Sequence, residues 1–251
     1  MNQAVFRHAV RQYRARLIVI IVALTIWGML MPIIYATFGV IYAVLVAFMV
    51  IAVWETFARA EEMVSEEASS LISLYRDTAA FPEGERQAVR EYLRAYARSV
   101  IADEWPAMQD GQPSPETEQA IDAIWLGYRG LGLESRVEQA IVAESFKQLN
   151  DVGEKRTHRL IASRETLPAI FWPVLVIGGV LCVVFTYFFH TPNVRAHAVM
   201  SGMLAALIAA SLYLIVVFDR PFSGDAGVTS ISSEAFHHAL DVFDDEPAAA
   251  H

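Results

Sequence analysis

A single cysteine in 251 residues excludes an intrachain disulfide, and Cys182 sits inside an apolar segment where packing is its ordinary role. Charge is scarce as well: Asp, Glu, Lys and Arg make up 19% of the chain, against about 25% in a typical soluble domain. Hydrophobic residues reach 55%, and the mean hydropathy is +0.37. That balance points to burial in a membrane. The net charge is −9, which argues against a basic surface for nucleic acid.

Catalytic motifs are missing too. There is no Gly-rich phosphate loop, no Cys/His metal spacing, no His-Glu-x-x-His helix and no Gly-x-Ser-x-Gly elbow. His237 and Asp241 fall one helical turn apart, but two ligands make a weak metal signal, and the plain reading is a surface helix. Ser223, between Phe222 and Gly224, has no base partner in view. The chain is therefore expected to be no enzyme and to hold no metal or cofactor.

What is present is concentrated apolar sequence. From Leu17 to Trp54 there are 38 consecutive residues without Asp, Glu, Lys or Arg, and a second block from Leu167 to Phe218 is interrupted only by Arg195. A cleaved signal peptide has an apolar core of only about 7–15 residues, so the first block is retained. A spanning helix needs roughly 20 apolar residues, so each block has the length for two spans. Pro32 and residues 36–39 are the breakers available in the first block, with Gly39 the best turn residue. The spacing predicts helices over about 17–36 and 40–58, then about 167–189 and 196–218, with Pro168 in a first turn and residues 190–193 as the second loop. The expected fold is all-α: four transmembrane helices and a cytoplasmic helical bundle.

Basic residues set the orientation. Arg7, Arg11, Arg14 and Arg16 precede the first span, Arg59 follows the second, Lys155, Arg156, Arg159 and Arg164 precede the third, and Arg220 follows the fourth. Both termini and the central region are thereby expected in the cytoplasm of a multi-pass inner-membrane protein. The implied organisation is a basic N-terminus over 1–16, spans over 17–58, a cytoplasmic domain over 59–166, spans over 167–218 and a tail over 219–251. The central region reads as helix throughout. Val64, Ala68, Leu71 and Tyr75 make one apolar stripe, Val89, Leu93, Tyr96 and Val100 another, and Ser114 suits the cap of a helix carrying Ile121, Ile124 and Tyr128. The first of these stripes continues the second span, giving one helix over about 40–79.

Two groups on that helix have open meanings. Glu55, Glu61, Glu62, Glu66 and Glu67 form either a solvated face or, around a symmetry axis, an acidic vestibule; Glu62 and Glu66 are the vestibule candidates. Thr37, Ile41 and Leu45, with Phe48, Met49 and Ala52 nearby and Glu55 after Trp54, are either lipid-facing and packing positions or the lining of a pore.

Residues 38–45 (Phe-Gly-Val-Ile-Tyr-Ala-Val-Leu), Trp54-Glu55, Glu67-Ala68, Leu74-Tyr75-Arg76, Tyr96-Ala97-Arg98, Glu104-Trp105-Pro106 and Asp219-Arg220-Pro221-Phe222-Ser223-Gly224-Asp225 resemble the bestrophin-like family of mostly bacterial membrane proteins. The similarity runs from about residue 38 to 240. It extends remotely to the bestrophins, which are pentameric ion channels with anion- and cation-conducting members and a pore lined by the second membrane helix. The resemblance implies a homo-oligomer, a pentamer by analogy, with Thr37, Ile41 and Leu45 matching the spacing of the pore row. Pro221, Phe222, Gly224 and Asp225 are similar to a bestrophin turn motif that precedes a calcium site. Here Ser223 is inserted and the dense acidic cluster is lacking, so a rigid turn docking the tail under the membrane domain is the expected role. The leading functional expectation is a channel for small monovalent ions. The alternative is a non-conducting scaffold or sensor whose cytoplasmic domain binds a partner.

Overall fold

The computed structural model describes residues 3–131, 136–189, 193–223 and 230–245. Among them every regular element is helical. Helix α1 (Gln3–Asp77) is followed by one 3-10 turn (Thr78–Ala80), α2 (Glu83–Ser99), a π-helical turn (Val100–Glu104) and α3 (Trp105–Gln109). Then come α4 (Pro115–Arg129), α5 (Arg136–Ala162), α6 (Phe171–Thr186), α7 (Val194–Phe218) and α8 (Glu234–Asp245). Helices α1 and α7 are long and apolar enough to cross a membrane, and α6 is a shorter apolar helix.

Two boundaries differ from the sequence expectation. No turn divides α1 at Gly39: the helix runs through both Pro32 and Gly39. A proline removes one backbone hydrogen bond and a glycine costs about 1 kcal/mol, and in an apolar run without further turn residues neither is enough to end a helix. Helix α6 begins at Phe171 rather than near Leu167. Pro168 disfavours helical geometry at the residue before it, and the Leu167 N–H is turned instead to the Asp219 carboxylate.

The chain divides into two compact units, Met1–Met49 with Ala169–Leu212, and Val50–Pro168 with Tyr213–His251. In the first unit α1 and α6 approach closely at Gly178 and Gly179. A Cβ on Gly178 would lie 2.6 Å from the Tyr42 ring, and one on Gly179 would lie 2.8 Å from both Ile208 Cγ2 and the Tyr42 hydroxyl. Glycine is what allows this contact, and the buried Tyr42 hydroxyl uses it to donate to the Leu175 carbonyl at 2.9 Å. Thr186 and Ser201 join their hydroxyls at 2.9 Å, so α6 also meets α7 through a polar pair.

The second unit is a soluble-type bundle with one core built from α1, α2, α3, α4, α5 and α8. Leu71, Leu74, Leu93, Val100, Met108, Ile124, Leu149 and Val152 are all fully buried. Ser114 caps α4 as expected, its hydroxyl accepting from Thr117 N–H at 3.3 Å with Pro115 in the first turn. The tail is part of this core rather than an appendage. Phe236, Ala239 and Phe243 give α8 a buried face at i, i+3 and i+7. Phe243 stacks on Tyr75 with centroids 4.4 Å apart, and its carbonyl accepts from the Tyr75 hydroxyl at 2.9 Å.

Gly179→Val is expected to destabilise the first unit by about 1–3 kcal/mol through overpacking. Gly202→Ala, where nothing lies within 4 Å, is expected to be neutral or mildly stabilising. Thermal unfolding of the two variants in the same detergent checks the contrast.

Candidate functional site

Helix α1 has a packed face and an uncovered one. In the second unit, at about 100° per residue, Val53, Ala60, Val64, Leu71 and Tyr75 point one way, and all are buried; in the first unit Tyr42 is the buried residue of α1. In the first unit Thr37, Ile41 and Phe48 lie away from Tyr42, and in the second Ala52, Glu55 and Glu62 lie away from the buried side; all are exposed. Ile41 is 64% and Phe48 63% exposed. Leu45 and Met49 are half-buried, because the i, i+4, i+8 row advances 40° at each step and turns toward the packed side. Thr37 bonds its own helix, donating to the Ile33 carbonyl at 2.9 Å.

The acidic candidates separate. Glu62 is exposed. Glu66 makes an ion pair with Lys155, the compensating cation that two carboxylates one turn apart call for. Glu67 corrects the solvated-face expectation outright: it is fully buried. In the turn motif, Pro221 and Phe222 are buried, with Phe222 set edge-on to Trp105 at 5.7 Å. The Pro221 carbonyl accepts from Ile231 N–H at 2.8 Å. Gly224 and Asp225 lie outside the described residues. His237 and Asp241 are both exposed, and among the described residues no group of three metal-ligating side chains is found.

Glu67 belongs to a buried ionic network. The Arg159 guanidinium donates from Nε to Glu67 Oε2 at 2.8 Å, from Nη2 to Glu67 Oε1 at 3.0 Å, and from Nη2 to Glu104 Oε2 at 2.7 Å. Arg156 donates to the other oxygen of Glu104 at 2.6 Å and reaches out to Glu118. Tyr96 donates its hydroxyl to Glu67 Oε1 at 2.6 Å. Glu67, Glu104 and Arg159 are 0% exposed and Arg156 is 6%. Trp105 and Phe236 flank the Arg159 guanidinium at 5.7 and 5.6 Å, within the range of cation–π attraction.

The π-helical turn positions Glu104. Pro106 has no N–H for a bond to Ala102, and its ring would press on that carbonyl in a regular helix. The wider turn, closed by Trp105 N–H on the Val100 carbonyl, carries the chain past this position. Electrostatics follow from the pairing. Burial pushes the Glu104 carboxyl up, but the hydrogen bonds and charges of Arg156 and Arg159 outweigh it and hold the group below its ordinary 4.5. Tyr96 is held well above its ordinary 10.0, first by burial and then by the Glu67 charge beside it.

Spacing alone contained a signal for this network. Glu67 falls among Val64, Ala68 and Leu71, and Arg156 and Arg159 continue the 3-4-3 rhythm of Leu149 and Val152. Charges on an apolar stripe are buried and paired or they are not tolerated.

An all-helical bundle with a neutral ionic core, joined in sequence to long apolar helices, is the class these features define. The Bestrophin-like domain matches residues 28–233, and the chain belongs to that family. No curated protein and no solved structure matches it.

Arg159→Met is expected to cost about 3–5 kcal/mol, because it leaves Glu67 buried without its cation. Lys155→Met, which breaks the exposed pair with Glu66, is expected to cost under about 1 kcal/mol. Denaturant unfolding followed by tryptophan fluorescence separates them. The pH dependence is also signed. A carboxyl depressed in the folded state contributes stability that is present above its ordinary value and lost as pH falls through the lower native one. Melting temperature is therefore expected to fall below about pH 4.5, and Glu104→Gln should start lower and flatten that limb.

Proposed function

We propose that this chain is the subunit of a homo-oligomeric channel for small monovalent ions in a bacterial inner membrane, with α1 lining the axis. In this reading α1, α6 and α7 lie in the bilayer. Arg59, Arg156, Arg159, Arg164 and Arg220, on the flanks of the apolar helices, favour a cytoplasmic side for the helical domain, while the unbroken α1 carries Arg7, Arg11, Arg14 and Arg16 at its other end.

The observation that carries the proposal is the uncovered face of α1. Thr37, Ile41, Phe48 and Ala52 leave apolar surface without a partner in their own chain, and such surface is covered by lipid or by protein. Past the end of the expected span, Glu55 and Glu62 are exposed as well, which suits a water-filled continuation of the same axis. Copies arranged with this face inward make an apolar constriction followed by rings of carboxylates, which concentrate cations. The family relationship supports the reading, and five copies is the number that the resemblance to bestrophins implies.

Purified protein reconstituted in liposomes is expected to pass monovalent ions and to measure as a ring-sized oligomer in nanodiscs. Phe48→Ala should raise flux several-fold by widening the constriction. The double substitution Glu55→Gln with Glu62→Gln should shift the reversal potential away from cations. A monomer by mass, or a verified oligomer without flux, sinks the channel reading and leaves a membrane scaffold whose bundle binds a partner.

A further inference from the structure

A polar cleft of about 460 Å³ opens in the second unit between the α3–α4 loop, the end of α5 and the residues after α7. Its walls include Gln109, Asp110, Gln112, Arg164, Arg220 and Ser223. Two arginines against one aspartate leave it net positive. It is separate from the buried ionic network and from the exposed face of α1.

Local structure holds one of its cations ready. Gly111 adopts φ +66°, the left-handed geometry that glycine tolerates, and its backbone turns a carbonyl toward Arg164. Arg164 Nε donates to that carbonyl at 2.7 Å, which fixes the guanidinium while leaving its two Nη groups for another acceptor. A Cβ on Gly111 would stand 3.3 Å from Arg164 Cγ, so the loop and the side chain are fitted to one another. Arg220 comes to the same cleft by a second tie. The preceding residue, Asp219, accepts from Leu167 N–H and so holds the end of α7 beside the segment leading into α6. Among the described residues no ion pair engages the Arg220 guanidinium.

Position along the chain narrows the ligand. Arg220 lies two residues beyond the end of α7, and Thr166, another wall residue, lies five before the start of α6. Both helices are apolar, so in a bilayer the cleft falls at headgroup depth, where basic pockets take lipid phosphates. Arginine supplies paired N–H donors that fit phosphate oxygens. We propose that this cleft binds a phosphate group through Arg164 and Arg220, and that in the membrane the phosphate is the headgroup of an anionic phospholipid. The proposal rests on the bilayer placement of α6 and α7 but not on ion conduction.

Thermal melting of the full chain in neutral detergent tests it, with added short-chain phosphatidylglycerol, short-chain phosphatidylcholine or inorganic phosphate. Phosphatidylglycerol is expected to raise the melting temperature by several degrees. Arg220→Gln and Arg164→Gln should each remove at least half of that shift, while Lys147→Gln, an exposed control, should keep it. Higher salt should shrink the wild-type shift. An equal effect of inorganic phosphate assigns the same cleft to a soluble phosphate and overturns the lipid assignment. Equal shifts with phosphatidylcholine overturn the assignment to an anionic headgroup, and a phosphatidylglycerol shift unchanged in both arginine variants overturns the proposal entirely. Because Arg220 is exposed, its substitution tests binding without threatening the core. Flux measured on the same preparations distinguishes failure here from failure of the channel reading, and wild-type protein that stays monodisperse without detergent would remove the bilayer premise itself.

Discussion

The second unit depends on four charges buried together. Removing a carboxylate or a guanidinium from water costs several kcal/mol per ion, and attraction offsets this only when geometry is good and remaining donors are satisfied. Both conditions are met here. Arg159 is bidentate to Glu67 and also holds Glu104, Arg156 takes the other oxygen of Glu104, and Tyr96 caps Glu67. Two carboxylates and two guanidiniums sum to zero, so the core holds no uncompensated charge. The network also selects an arrangement: Glu67 is on α1, Glu104 closes the π-helical turn, and both arginines are on α5. A slide of α5 by one residue against α1 would turn both arginines out of reach and strand two carboxylates. An apolar core would tolerate that slide far better.

The aromatic residues around the network extend this constraint to the tail. Trp105 follows Glu104 directly, lies against Arg159, and receives both Phe222 and Phe236 on its edges at 5.7 and 6.1 Å. The position of Glu104 thus sets the position of Trp105, and Trp105 sets where the chain after α7 and the helix α8 dock. Tyr75 repeats the pattern farther along α1, stacking on Phe243 while Arg90 lies 4.4 Å above its ring. The resemblance motifs take on physical meaning here. Glu67, Tyr75, Tyr96, Glu104, Trp105 and Phe222, among the residues that carry the resemblance, are buried in or packed against the bundle core.

Helical class, the central stripes and the Ser114 cap were all legible in the sequence, because each depends on local periodicity or on a single residue's hydrogen bond. The bounds of α1 were not. A Gly and a Pro in an apolar run weaken a helix locally, by about 1 and about 3 kcal/mol, and nothing in the sequence weighs those amounts against the unbroken ladder around them. The network was missed for a different reason. Glu67 stands beside Glu66 in a run of acids, and composition alone groups it with its neighbours although the two project 100° apart. Only the apolar company of Glu67 at i−3, i+1 and i+4 distinguishes it. The partner arginines lie about ninety residues away, a pairing no local pattern reveals.

That 100° separation gives α1 its two characters in the second unit. The side facing Arg159 is specified residue by residue through charge geometry, while Glu55 and Glu62 make no ion pair among the described residues. Glu66, one turn from Glu62, is held by Lys155 of α5, so α5 contacts α1 beyond its packed face as well. A helix fixed this firmly on one side can present the other in a constant orientation. Constancy is what a repeated subunit needs if its exposed carboxylates are to fall into rings, because an error of one residue in rotation would carry Glu62 a quarter-turn or more away from an axis. In the proposed channel, the buried network would be what holds the exposed face in register, although none of its four charges need meet an ion.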